Sequence, residues 1–298
     1  EFGNALVPSI VHFPLEGKYL VGKSAEIFRE SDPKNTVSSV KRLLGRGAED
    51  VFENPLAYPY ELDLSDERFL KIRTRRGSLS PVEISSEILK HLHSKAQSFL
   101  EEKVDGVVIT VPAYFDEAQR QATKDSATLA GMNVLRLLNE PTAAAIAYGL
   151  DNNEEETIAV YDLGGGTFDI SILRIVKGVF EVLATGGDAS LGGDDFDFAI
   201  AEWISKSMSL NVKKNINLQA SLLSTARTAK EKLSNPSNHD DVKIEFMSNT
   251  LTLTRDEFSK LTGVLVRRTI KACRRTVRDA RIGFEEIDNV LLVGGSSR

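Results

Sequence analysis

The sequence predicts an α/β protein. Short β-branched runs alternate with helix-length amphipathic segments along the whole chain. The helix-like segments carry their own start and stop residues. Three strand-like runs follow one another at residues 158–162, 168–175 and 180–185, separated by glycine-bearing turns. A chain of 298 residues, 41% hydrophobic and 27% charged, suffices for one large domain or two lobes with real cores.

Taken in order, Val107 to Val111 is a β-branched run ended by Pro112, expected to be a strand buried on both faces. A helix is expected over 116–130, closed by Gly131. Residues 134–138 read as a strand, and 141–149 as a helix with Pro141 in its first turn and Gly149 at its end. The polar run Asp151-Asn152-Asn153-Glu154-Glu155-Glu156 divides the chain into 1–152 and 153–298. After the three-strand meander come helices over 194–210 and 218–233 and a break at Asn235-Pro236-Ser237-Asn238. A hairpin of 242–246 with 250–253 follows. Thr254-Arg255-Asp256-Glu257 starts the next helix in the manner of a capping box. Residues 290–293 are expected to be a last buried strand, running into Gly294-Gly295-Ser296-Ser297-Arg298.

The bulk numbers exclude several classes. A net charge of −6 disfavours a protein whose main partner is a polyanion, so no nucleic-acid partner is expected. The single cysteine, Cys273, allows no internal disulfide and no thiolate metal site. No apolar run approaches the roughly 18 residues that span a bilayer. Glu1-Phe2-Gly3-Asn4 lacks the features of a signal peptide. The cytoplasm is the expected place, with no membrane partner. Both ends read as cut.

Chemistry concentrates in Asp162-Leu163-Gly164-Gly165-Gly166-Thr167-Phe168-Asp169. Three glycines between strands can take positive φ and approach a ligand without Cβ contact. Their N–H groups can form a phosphate-binding concavity, with the Thr167 hydroxyl as a further donor. Asp162, at the strand end, suits Mg²⁺ held through water. A plain hairpin turn is the alternative, against which the flanking Asp and Thr-x-Asp weigh. Gly294-Gly295-Ser296 repeats the strand–glycine–polar pattern, which suggests a cleft gripped from two sides. Gly192 and Gly193 precede a helix whose acidic first turn, including Asp195 and Asp197, suits the helix dipole.

Elsewhere the plain reading holds. Lys41 alone is a surface lysine, and Glu140 is a carboxylate at a strand-to-helix junction. Arg267, Lys271, Arg274, Arg278 and Arg281 form a solvated cationic stripe beside an apolar one of Val266, Ile270, Cys273, Val277 and Ala280. Cys273 is therefore read as packing. His12, His91, His93 and His239 show no metal spacing.

Three segments carry a resemblance to a known family. They are 162–169, the run 108–123 (Val-Ile-Thr-Val-Pro-Ala-Tyr-Phe-Asp-Glu-Ala-Gln-Arg-Gln-Ala-Thr), and Asn139-Glu140-Pro141-Thr142-Ala143-Ala144-Ala145. They closely resemble the nucleotide-binding domain of 70-kDa heat-shock chaperones, and the match spans nearly the whole chain. Residues 36–43, 173–188 and 271–275 look most like the HscA branch, which serves bacterial iron–sulfur cluster assembly; a general heat-shock chaperone with broad peptide clients is the alternative, and a sugar kinase or actin-like filament protein a remoter one, against which the runs 108–123 and 139–145 count.

The resemblance implies an actin-like or sugar-kinase-like fold, two lobes about an ATP cleft, and an ATPase releasing ADP and phosphate. Lys41 matches the family's catalytic lysine. Glu140 and Asp162 match the carboxylates around hydrated Mg²⁺, Thr167 the phosphate-contacting hydroxyl, and Asp169 a carboxylate near K⁺. Gly164, Gly165 and Gly166 match the phosphate loop. Gly192, Gly193, Lys230, Ser234, Gly294, Gly295, Ser296 and Arg298 match the rest of the nucleotide site. Pro112 and Arg120 match the relay to the peptide-binding domain. Implied partners are a J-domain co-chaperone, an iron–sulfur scaffold protein, and extended peptide clients bound by a domain this sequence lacks.

Departures from the family carry expectations of their own. The family's first phosphate loop, of the type Asp-x-Gly-Thr-x-x-Ser, has no counterpart here, so this stretch alone is expected to be a poor ATPase. Arg227 stands where Glu is usual, and Glu231 where Arg or an aliphatic residue is common. Fewer adenine contacts and faster nucleotide exchange follow. The region 211–225 is shortened, which puts the usual exchange-factor contact in doubt.

Overall fold

The computed structural model describes residues 6–47, 58–65, 70–149, 155–212, 215–235, 237 and 240–297. The boundary expected at 152/153, Arg298 and His239 lie outside them. The chain forms two compact units, one of Glu1–Val108, Asp116–Arg136 and Ile204–Ala226, the other of Ile109–Phe115, Leu137–Trp203 and Arg227–Arg298.

The first unit opens with β1 (Ile10–His12), β2 (Leu20–Val21), α1 (Lys23–Glu26) and β3 (Thr36–Ser38). The strands form an antiparallel sheet in the order β2-β1-β3. A second antiparallel sheet joins β4 (Glu61–Asp63), β5 (Lys71–Thr74) and β6 (Gly77–Leu79). Helix α2 (Pro81–Leu100) starts on a complete capping box: Glu83 N–H donates to Ser80 Oγ at 3.2 Å, and Ser80 N–H to the Glu83 carboxylate at 2.7 Å. Val11, Phe13, Val37, Leu43, Ile72 and Ile84 make the core. After β7 (Val107–Val111) comes α3 (Glu117–Leu129), capped by a reciprocal Asp116–Gln119 box and ended by Gly131 at φ 78°.

The second unit is built on a four-stranded sheet. In chain order, β8 (Val134–Asn139) pairs with β7 and leads into α4 (Glu140–Ala147). The meander of β9 (Glu155–Leu163), β10 (Phe168–Val176) and β11 (Val179–Asp188) follows, then α5 (Gly193–Ser207) and α6 (Ile216–Ser234). The hairpin β12 (Val242–Phe246) and β13 (Asn249–Leu253), helix α7 (Arg255–Asp279) and β14 (Asn289–Val293) complete the chain. The main sheet runs β11-β10-β9-β14, with β14 parallel to β9 and the rest antiparallel. The central strands are buried on both faces and read as nearly continuous apolar runs. On one face Ala159, Phe168, Ile170 and Ile172 meet Phe196 and Val277; on the other Ile158, Val160, Leu173 and Ile175 meet Ala145.

Three expectations are corrected. Strand β14 is an edge strand: Leu291 and Val293 pack inward, while Val290 and Leu292 are 62% and 55% exposed. Strand β7 is half-exposed, since Val108 faces no described neighbour that buries it. A short apolar run signals a strand, but not how many of its faces are covered. In α7 the inner face is a threonine ladder, Thr262, Thr269 and Thr276, with Val277. Val266 and Ile270, expected inside, are each 45% exposed. Each buried threonine satisfies its hydroxyl by donating back to its own helix, to Phe258 O, Val266 O and Ala272 O. The small ladder lets the helix lie close to β11, where a Cβ on Gly186 would fall 2.2 Å from Thr276 Oγ1. Of the capping box expected at Thr254, one half forms: Glu257 N–H donates to Thr254 Oγ1 at 3.0 Å.

Candidate nucleotide site

The turn 164–167 joins β9 to β10 and is closed by Gly164 N–H donating to Thr167 O at 3.0 Å. None of Gly164, Gly165 or Gly166 takes positive φ, contrary to the expectation, so left-handed backbone is not the reason for glycine here. Close approach is. Gly193 N–H donates to Gly164 O at 2.9 Å and Asp194 N–H to Gly165 O at 2.8 Å, which laces the turn to the start of α5. A Cβ on Gly192 would fall 2.6 Å from Gly165 O and 2.7 Å from the carbonyl carbons of Gly165 and Gly166. A Cβ on Gly193 would meet Ser296 Oγ at 2.4 Å and Lys230 Nζ at 3.1 Å. Gly294, at φ 88°, does take left-handed backbone, and a Cβ there would sit 2.3 Å from Leu163 O and 2.6 Å from Asp162 Oδ1.

The 164–167 turn, the 192–193 segment and the 294–296 turn therefore meet where Gly192, Gly193 and Gly294 carry no side chain. The first N–H groups of α5 are spent on the turn and on Asp195, whose carboxylate accepts from Gly192 N–H at 2.7 Å. Within the 164–167 turn Gly165 is exposed.

Asp162 and Asp169 are register partners on β9 and β10, so their carboxylates leave the same face of the sheet. Asp169 is buried and Asp162 half-buried. Like charges directly opposite one another disfavour a strand pair, and a cation on that face removes the penalty. The donor set thus fits a hard cation with oxygen ligands. Glu140 is the first residue of α4, the helix packed on β9, and is half-buried.

The acidic start of α5 does more than complement a dipole. Arg227 donates through Nη2 to Asp194 at 2.6 Å and through Nε to Asp197 at 3.0 Å. Lys230 Nζ lies 2.7 Å from Asp197 Oδ1 and donates to Gly193 O at 2.8 Å. Asp197 is only 2% exposed and serves both cations. Burial disfavours the Arg227 cation, but Asp194 and Asp197 outweigh it and hold the guanidinium above its ordinary range. The spacing held the signal: two acids three apart on α5 and two bases three apart on α6 each present one face.

The structure brings Asp162, Gly164 to Thr167, Asp169, Gly192, Gly193, Lys230, Gly294 and Ser296 together in the second unit. Gly295 lies in the same turn as Ser296, and Ser234 is exposed at the last residue of α6. Lys41 belongs to the first unit, half-buried in a 3-10 turn, Val40–Leu43. That segment is docked on the start of α3: a Cβ on Gly45 (φ 66°) would lie 2.7 Å from Gln119 N. Arg120 follows in the first turn of α3, and the buried Pro112 accepts from Phe115 N–H at 3.2 Å within the second unit. Cys273 packs in the sheet–helix core, where burial pushes its thiol up to about 11. No group of three or more His, Cys, Asp or Glu among the described residues is arranged to hold a metal ion directly. No described helix is long and apolar enough to cross a membrane.

Residues 1–298 match the family model of the Hsp70 protein. The chain is 53% identical over 298 residues to the Chaperone protein HscA homolog of Histophilus somni (strain 129Pt), covering 100% of this chain and 48% of that protein. It is 53% identical over 296 residues to the Chaperone protein HscA homolog of Pseudomonas putida, covering 99% and 47%. It is 50% identical over 296 residues to the Chaperone protein HscA of Enterobacter sp. (strain 638), again covering 99% and 47%. The chain spans about half the length of the curated relatives it matches.

Proposed function

The chain belongs to the Hsp70 family, and from that premise we propose that it is the ATP-binding and ATP-hydrolysing part of a chaperone dedicated to iron–sulfur cluster assembly. The observation that carries the nucleotide reading is the meeting of the 164–167, 192–193 and 294–296 turns, where three glycines, Gly192, Gly193 and Gly294, stand where a Cβ would collide with the neighbouring turn. The HscA relatives, alike over the whole chain, support the branch.

In this reading the N–H groups of 165–167 and the Thr167 hydroxyl take the phosphates. Gly193, Gly294, Gly295, Ser296, Lys230, Ser234 and Arg298 serve the adenosine side. Asp162 and Glu140 hold Mg²⁺ through water, and Asp169 borders K⁺. Bound Mg²⁺ supplies charge neutralisation at the phosphates. Lys41 orients the water that attacks the γ-phosphorus; the bond to the bridging oxygen breaks, and ADP carries that electron pair away. We take the chain as two lobes, 1–152 and 153–298, of an actin-like fold. Pro112 and Arg120 relay nucleotide state to a peptide-binding domain outside this chain, and a J-domain protein and a cluster scaffold are the partners, in the cytoplasm. Because Lys230 is engaged by Asp197 and Gly193, and Arg227 by both aspartates, the adenosine side is held by fewer mobile cations, which supports fast exchange.

The test is calorimetry of the intact protein with Mg²⁺–ADP, together with steady-state hydrolysis with and without a purified cluster scaffold. Lys41→Met is expected to keep ADP affinity and remove hydrolysis. ADP that fails to bind, or binds equally well to Thr167→Ala combined with Gly192→Val, overturns the nucleotide reading. Stimulation by unrelated extended peptides but not by the scaffold replaces the iron–sulfur assignment with general folding work.

A further inference from the structure

The face of α7 turned away from the sheet carries a charge pattern that the nucleotide site does not use. From Phe258 to Arg278 the helix holds seven basic residues and no acid, in a chain of net charge −6. Two of the seven are answered locally: Arg268 by Asp188 at 2.5 Å, and Arg275 by Asp279 at 3.5 Å. Arg267, Lys271, Arg274 and Arg278 are exposed and form no ion pair with a described residue. With Ile270 and Arg275 they line a shallow groove of about 560 Å³. Ile270 is 45% exposed between the cations, and Val266 is exposed to the same degree one turn earlier. The eleven steps from Arg267 to Arg278 span about 17 Å, roughly three turns of a facing helix.

We propose that this face docks an acidic, amphipathic helical segment of a partner protein, its carboxylates on Arg267, Lys271, Arg274 and Arg278 and an apolar side chain against Ile270. Charge decides the sign of the partner. Cations three and four residues apart on one helix repel one another, and the described fold does nothing to relieve them. A facing row of carboxylates would. The exposed Ile270 among the cations decides the class. A phosphate backbone has nothing to place on Ile270, whereas an amphipathic helix does. The acidic remainder of the chain repels an extended polyanion beyond the short strip. The inference stands or falls without the nucleotide reading, since α7's outer face holds none of that site's residues.

The test uses the intact protein and a fluorescent synthetic helix of about twelve residues, with Glu at every third or fourth position and one central Leu. Saturable anisotropy is expected, weakening as salt is raised. Lys271→Glu with Arg274→Glu is expected to weaken binding about tenfold or more, and Ile270→Ser a few-fold. The milder pair Lys271→Gln with Arg274→Gln keeps or raises the melting temperature and still loses affinity, which separates docking from folding. Absence of saturable binding, binding indifferent to the double charge reversal, or tighter binding of a duplex DNA of equal length each overturns the proposal.

Discussion

Helices α5 and α7 each present a row of like charges, and the two rows meet opposite fates. The acids of α5 are drawn inward, where Asp194 and Asp197 share Arg227 and Lys230 with the neighbouring helix and Asp197 is almost fully buried. The bases of α7 stay outside, and four of them meet no described acid. Buried charge persists only when paired and hydrogen-bonded, whereas solvated charge costs little and constrains nothing. The α5 row is therefore part of the fold and shapes the site, and the α7 row is free for something outside it.

The sharpest way to break that contrast is Asp197→Ala. It leaves Lys230 with no carboxylate and Arg227 with Asp194 alone in a half-buried pocket, and removal of one partner from such a cluster costs about 3–5 kcal/mol. The denaturant midpoint should fall accordingly. A loss near zero would put the α5 cluster in the same class as the α7 strip. Gly192→Ala comes next. Its methyl would press on the Gly165 and Gly166 carbonyls, and overpacking of this kind costs about 1–3 kcal/mol. Calorimetry should show weaker ADP binding as the 164–167 turn is pushed outward.

His12, in the first unit, supplies a third outcome for an ionisable group: it is buried as the neutral form. Its ring stacks on Phe28 at 4.0 Å and Nδ1 lies 2.9 Å from Thr36 Oγ1. Burial lowers its pKa from 6.5, Arg75 adds to that, and Asp32 opposes it. The unfolded chain then binds more protons than the folded one as pH falls through 6.5, so stability is complete above that value and declines below it. Thermal melts between pH 7.5 and 5 should show the decline, and His12→Phe should flatten its histidine component.

These contrasts also mark where the sequence was legible. The three-strand meander and the helices around it were readable because period and punctuation are local: Lys177 and Gly178 supply the two left-handed residues of a tight turn, and Gly131 ends α3. The turn at Met247-Ser248 takes the same backbone without glycine and has no such signature. The α7 core face was misread because buried threonines look polar in sequence, and only the helix itself shows their hydroxyls satisfied. At the candidate site the sequence singles out several residues that the fold brings close together, but not the reasons they are close. Gly164 to Gly166 read as a conformational need, yet the tightest constraints fall on Gly192, Gly193 and Gly294, through contacts with residues far away in sequence. Arg227 read as a lost adenine contact, and its two aspartates lie some thirty residues upstream.

The smallest effect is the most discriminating. Lys271 has Arg267 four residues before it and Arg274 and Arg275 three and four residues after it. Lys271→Glu turns those repulsions into attractions, each worth about 0.2–0.5 kcal/mol on a helix surface. The folded chain should gain on the order of 1 kcal/mol at low salt, and the gain should shrink as salt is added. Losing a charge of the row thus stabilises on α7, where Lys271→Glu reverses it, and destabilises on α5, where Asp197→Ala removes it, and the opposite signs are the measurable content of the contrast. A protein that keeps a repulsive row when one substitution would relieve it is not using that row to fold. If Lys271→Glu instead destabilises by about 1 kcal/mol or more, α7's cations serve the structure, and the outer face loses its claim to a partner.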